Sequence, residues 1–124
     1  MARPQAPVDR DEAVDALVQS AYATMAVLNR VAAENDFSLT QLRALAILRG
    51  RHLRMSELAE YLGLDRSTLS GLIDRAEQRG LVVRESDPSD GRAIVVSLSA
   101  EGKRLATRIN AQVRKALEPL LDRA

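Results

Sequence analysis

Apolar residues recur along the first part of the chain at helical spacing. From Asp11 to Glu34, the positions Val14, Val18, Ala21, Met25, Leu28 and Ala32 are separated alternately by four and three residues, which predicts one long helix with a heptad-like stripe. Leu17, Tyr22 and Val31 widen the stripe, so this helix should meet more than one neighbour. A second helix is expected after "FSLT", capped by Thr40, running through Leu42, Leu45, Ala46 and Leu48 and ending near Gly50. A short third helix, "SELAEYL" (Ser56 to Leu62), is stopped by Gly63. The link "GLDR" then leads into a fourth, "STLSGLIDRAEQR", stopped by Gly80.

The period then drops to two. Leu81–Glu85 and Ala93–Leu98 read as strands, the second alternating Ile94, Val96 and Leu98 against Ala93, Val95 and Ser97. Between them "SDPSDGR" reads as a projecting polar loop, with Asp87-Pro88 opening a turn and Asp90-Gly91 supplying the reversal. A last helix is expected from Ser99 as N-cap, through Leu105, Ile109, Val113, Ala116 and Leu117, until Pro119 interrupts it. Helices three and four with their short turn form a helix-turn-helix, and the following hairpin makes it a winged one. The predicted fold is therefore mainly α with a small β-hairpin wing, a winged helix-turn-helix. Such an arrangement mostly serves DNA binding.

Composition narrows the chemistry. The 124 residues suit a single domain with a core. Tyr22, Phe37 and Tyr61 are the only aromatics, so that core must be aliphatic. With no cysteine, disulfides, thiolate metal sites, thiol nucleophiles and thiol redox switches are excluded. One histidine, His52, sits beside Arg51 and reads as a solvated loop residue, and a multi-histidine metal site is not expected. No Gly-rich phosphate loop, Ser/His/Asp set or metal-spaced ligand group is present, so neither an enzyme nor a cofactor is expected. No apolar run approaches membrane-spanning length and residues 1–10 read as a flexible leader without an apolar signal region, which fits a cytoplasmic protein.

Net charge gives no case for nucleic acid: 18 basic residues oppose 17 acidic ones. The case rests on placement. The apolar face of the fourth helix is Leu69, Leu72, Ile73 and Ala76, and its other face carries Ser67, Ser70, Gly71, Asp74 and Gln78. Ser and Gly are poor helix formers, whereas short side chains let a helix seat deeply in a major groove. Arg92, at the end of the polar loop, is placed to reach a minor groove. The competing reading pairs Arg92 with Asp87, Asp90 or Asp74 in a surface network.

These residues resemble the MarR family of bacterial multiple-antibiotic-resistance regulators. The similarity runs from "LTQLRALAIL" through "MSELAEYLGLDRSTLSGLIDRAEQRGLVVRESDPSDGRAIVVSLSAEGK", and is most specific at "LIDRAEQRGLV", "DPSDGR" and "VSLSAEG". It implies one domain over 11–124, with residues 11–35 and 99–124 forming dimerisation helices and 38–98 forming the DNA-binding region. It further implies a homodimer that usually represses transcription from a pseudo-palindromic operator in double-stranded DNA. On matching positions it implies base-facing roles for Arg66, Ser67, Thr68 and Ser70. It makes Arg75 a phosphate or groove-edge contact and Arg92 the wing arginine. Many relatives release DNA when a small, often aromatic or phenolic, effector binds between the DNA-binding and dimer regions, and Tyr22, Met25 and Phe37 are candidates to line such a pocket.

Three departures stand out. Arg54-Met55 replace the usual Ser or Thr before "SELA", leaving the cap to another residue such as Ser56. Gly71 replaces a larger residue, which removes a base contact. The chain ends soon after Pro119, which implies a smaller dimer interface or one leaning harder on the Asp11–Glu34 helix. A second functional class, a winged helix that binds proteins, would be marked by an electronegative reading face, of which Asp74 and Glu77 are the hint.

Overall fold

The computed structural model describes residues 9–121. Five helices and three short strands follow in the order α1 (Arg10–Glu34), α2 (Leu39–Leu48), β1 (Leu53–Arg54), α3 (Met55–Leu62), α4 (Arg66–Gln78), β2 (Val82–Asp87), β3 (Asp90–Leu98) and α5 (Ala100–Leu121). The leader expected over 1–10 lies outside the described residues except for Asp9 and Arg10. Asp9 caps α1 by accepting from the Asp11 N–H (2.9 Å), and Arg10 is already helical.

The core is aliphatic and contributed by every helix. Leu48, Leu58, Leu69, Ile73 and Val96 are its largest fully buried side chains, bringing together α2, α3, α4 and β3. Val27, Val31 and Ala32 of α1 join it alongside Leu105, Ala106 and Ile109 of α5. Only the C-terminal half of the α1 stripe is used in this way. Before Ala23 the helix is exposed throughout, including Val14, Leu17, Val18 and Tyr22.

Helix ends follow local chemistry, with two revisions. Ser38, not Thr40, caps α2: its hydroxyl accepts from the Gln41 N–H and the Gln41 side chain accepts from the Ser38 N–H. This reciprocal box satisfies two orphan donors at once, which a cap two residues later could not do. Pro119 does not interrupt the last helix, since α5 runs to Leu121 with the proline inside it. A proline here costs one N–H near the end of the described helix, and Leu117 and Leu120 around it still pack against the core.

The sheet differs more from expectation. It has three antiparallel strands in the order β1-β3-β2, because Leu53 and Arg54 pair with Val96 and Val95. The expected loop from Ser86 to Arg92 is mostly strand. β2 continues to Asp87, β3 begins at Asp90, and only Pro88 and Ser89 make the turn. Pairing jumps from Ser86↔Ile94 to Asp87↔Asp90, so Gly91, Arg92 and Ala93 bulge from β3 opposite a single step of β2. The polar residues are there for local turns: Asp87 Oδ1 accepts from the Ser89 N–H (2.9 Å) and Asp90 Oδ1 from the Arg92 N–H (3.1 Å). The reversal is therefore at Pro88-Ser89 and not at Asp90-Gly91.

Behind the wing, α5 is locked to the end of α4. The Ser99 hydroxyl donates to the Gly80 carbonyl (2.6 Å) and accepts from the Gly102 N–H (3.0 Å), while the Ser99 N–H donates to the Leu81 carbonyl (2.9 Å). Gly102 is buried so close to that carbonyl that any Cβ would overlap it.

Candidate nucleic-acid interface

The turn between α3 and α4 is built from Gly63, Leu64 and Asp65. Gly63 takes the left-handed conformation (φ 66°) that ends α3. Asp65 caps α4 by accepting from the Thr68 N–H (2.8 Å) and the Ser67 hydroxyl (3.0 Å). These bonds, the Thr68 N–H first, hold the Asp65 carboxyl below its ordinary value of 3.8. Arg66 is the first residue of the helix. Arg66, Ser67, Thr68 and Arg75 are exposed and Ser70 is half-buried, while Leu69, Leu72 and Ile73 seat the helix in the core.

Gly71 shapes this face. The Arg75 Nη1 lies 3.5 Å from the point a Cβ on Gly71 would occupy, so the guanidinium folds back along the helix over the glycine. Arg75 therefore covers ground that a larger residue at 71 would take.

α3, α4 and the wing enclose a groove of about 300 Å³, lined by Arg54, Met55 and Ser56, by Arg66, Leu69 and Ser70, and by Arg84, Arg92, Ala93 and Ile94. Four arginines thus converge on one concavity. Two are neutralised. Arg54 meets Asp87, with both Nε and Nη2 at 2.7 Å from Oδ2. Arg84 pairs with Asp74 and approaches Glu77 at 3.6 Å. Arg66 and Arg92 take part in no ion pair among the described residues. Of the carboxylates that the sequence offered to Arg92, Asp74 pairs with Arg84 and Asp87 with Arg54, while Asp90 accepts from the Arg92 backbone N–H and forms no ion pair among the described residues.

Of the six sequence-derived positions, Arg66, Ser70 and Arg92 line the groove, and Ser67, Thr68 and Arg75 lie along the exposed side of the same helix. Sequence reading missed Arg54 and Arg84 as members of the site, since their partners lie 33 and 10 residues away. In the sequence Arg54 stands out only as a residue unsuited to cap α3. The α3 cap is in fact half of a box, with the Arg54 N–H donating to the Glu57 carboxylate at 3.0 Å, and Ser56 already lies inside the helix.

A second concavity of about 350 Å³ opens between α1, α2 and α5. Leu28, Leu39, Leu42, Leu45, Ile109 and Val113 line it together with Arg43, Arg49 and Asn110. Tyr22, Met25 and Phe37 do not line this pocket. Tyr22 and Met25 are exposed on α1, and Phe37 is stacked under Arg79, whose guanidinium carbon is 4.2 Å from the ring centre. His52 is exposed, and among the described residues no group of three or more His, Asp or Glu could hold a metal ion. No described helix is long and apolar enough to cross a membrane.

A profile of the MarR family matches residues 35–93. An uncharacterized HTH-type transcriptional regulator of Bacillus subtilis is 35% identical over 71 residues, 56% of this chain and 44% of its own length, so the chain spans under half of that relative. The homoprotocatechuate degradative operon repressor of Escherichia coli is 29% identical over 107 residues, 86% of this chain and 72% of its own. Wild-type apo MarR from Escherichia coli superposes with a TM-score of 0.79 at 21% identity, covering 98% of this chain and 88% of that one. A MarR mutant in complex with operator DNA gives 0.71 at 22%, covering 86% and 77%. NadR in complex with 4-hydroxyphenylacetate gives 0.74 at 26%, covering 98% and 86%.

Proposed function

We propose that the chain is a member of the MarR family, whose profile matches residues 35–93, and that it is a cytoplasmic, sequence-specific DNA-binding transcriptional regulator, acting as a repressor and not as an enzyme. The observation that carries this reading is the division of the groove arginines. Arg54 and Arg84 are spent on carboxylates, while Arg66 and Arg92 stand without one on either side of a face of short polar side chains. An unpaired arginine at the start of α4 and another on the wing bulge suit one duplex, with α4 in the major groove and Arg92 in the adjoining minor groove. Ser67, Thr68 and Ser70 face the base edges with Arg66, and Arg75 holds a phosphate. The MarR mutant bound to operator DNA shares this fold and supports the reading by analogy.

The active form is a homodimer. Val14, Leu17 and Tyr22, exposed on α1 by 58%, 71% and 69%, together with Leu121, exposed by 70%, offer an apolar surface for a second copy. Two copies place their reading helices about one DNA turn, roughly 34 Å, apart and so require a pseudo-palindromic operator. A small aromatic or phenolic effector occupies the concavity between α1, α2 and α5, whose volume suits such a molecule. NadR, in complex with 4-hydroxyphenylacetate, offers the parallel. Arg43 and Arg49 then attract an acidic group on the ligand.

A protein-binding winged helix is the rival reading, and it needs a free electronegative face. Asp74 and Glu77 are instead engaged by Arg84. Selection of bound duplexes from a random DNA pool decides between the two. An enriched pseudo-palindrome with half-sites one turn apart supports the operator reading, and a folded dimer that enriches nothing defeats it.

A further inference from the structure

Resting on that DNA-binding reading, we propose that Arg54 is a positioning residue for the wing, holding the bulged hairpin tip through Asp87 so that Arg92 is presented at a fixed distance from α4. Arg54 is anchored from behind. Its backbone pairs with Val95 in the sheet and its N–H is bonded to Glu57 at the start of α3. Its guanidinium then reaches across 33 residues of sequence to the wing, placing Nε and Nη2 each 2.7 Å from Asp87 Oδ2. The other carboxylate oxygen accepts from the Ser89 N–H (2.9 Å) and the Ser89 hydroxyl (2.8 Å). One side chain, only 12% exposed, thus ties the two-residue turn to the helix-turn-helix.

The tip has little else to hold it. Pro88, Ser89, Asp90, Gly91 and Arg92 are all exposed, and none belongs to the core or to the apolar residues packed on it. A bulge interrupts the ladder next to them, which both re-aims a side chain and weakens the local pairing. Arg54 itself is 42% exposed, so the pair contributes little to global stability. Its consequence is geometric, because a contact that depends on Arg92 reaching a groove is sensitive to displacements of about 1 Å.

The test has two arms. The chain has no cysteine, and a Cβ at Gly91 meets nothing within 4 Å, so a nitroxide on Gly91→Cys reports tip motion in DNA-free protein. Arg54→Ala should raise the share of the sharp, mobile component of the label spectrum with helicity unchanged. An identical spectrum overturns the clamp, whatever the protein does with DNA. In the second arm, without the label, Arg54→Ala should weaken operator binding roughly tenfold in the Arg92 protein and leave it nearly unchanged when Arg92→Ala is already present. Equal losses in both backgrounds overturn the proposal, because Arg54 then touches DNA itself. Full recovery of affinity by Arg54→Lys without recovery of tip order also overturns it, since a bare cation would suffice. Should Arg92→Ala cost no affinity, the wing reading fails, and the label arm still decides the clamp.

Discussion

Arg92 and Gly102 mark the two ways in which single residues matter here. Arg92 is exposed on a bulge, with its backbone N–H given to Asp90 and its side chain in no ion pair among the described residues. Arg92→Ala should therefore weaken operator binding about tenfold or more while the far-ultraviolet circular dichroism and the unfolding midpoint stay as they were. A matching loss of stability would assign Arg92 a structural role instead. Gly102 is the opposite case. A methyl group there runs into the Leu81 carbonyl, which is fixed by the Ser99 N–H, so Gly102→Ala should cost about 1–3 kcal/mol in denaturant unfolding. Arg92 was legible in the sequence as an arginine at the end of a turn signal. Gly102 was not, because a glycine in the first turn of a helix carries no mark of what passes over it.

Elements were legible where periodicity runs long and illegible where pairing is remote. The long helix α1 appears where its spacing predicts it, whereas β3 does not keep the expected alternation: Ile94 is exposed, and Ser97 is buried between Val96 and Leu98. β1 was missed because two residues cannot display a period, and its existence depends on Val95 and Val96 arriving from the wing. The wing loop was overestimated for a related reason. Ser, Asp, Pro and Gly signal turns by composition, but Asp87 and Asp90 use their side chains to close tight turns while their backbones continue the ladder. At the start of α2 the capping box makes Ser38 the residue to test. Ser38→Ala should lower stability by about 1 kcal/mol, and Thr40→Ala by much less, as measured by urea midpoints. The reverse ranking would restore Thr40 as the effective cap.

For the whole molecule, the unused half of the α1 stripe is the feature with the largest consequence. Leu17 is 71% exposed on a helix whose other end is in the core. Leu17→Glu should leave the protein folded, shift its sedimentation from dimer toward monomer and abolish tight binding to a full operator. A dimer of unchanged strength would move the interface elsewhere. Acid response can also be worked out. Backbone and hydroxyl donors lower the carboxyls of Asp65 and Asp87, through Thr68 and Ser89 first respectively, below the ordinary 3.8. Groups lowered in the folded state stabilise it above their unfolded value, and that contribution is lost as pH falls through the folded one. Both the α4 cap and the wing tie should therefore persist unchanged from about pH 5 to 8 and fail only below the ordinary carboxylate range. Operator binding that weakened between pH 7 and 5 would point to another group.

Periodicity, breakers and caps by themselves determined which segments are helices, the winged order of the elements and the small polar face of α4, because these depend on neighbours within a few residues. Tertiary structure alone decided which of the groove arginines are neutralised. Arg54, Arg66, Arg84 and Arg92 are alike as letters in a chain of net charge +1. Only folding carries Asp87 to Arg54 and Asp74 to Arg84, leaving the other two unpaired. Ion pairing acts over a few ångströms of space, and no local pattern records which distant side chains the chain will bring within that range.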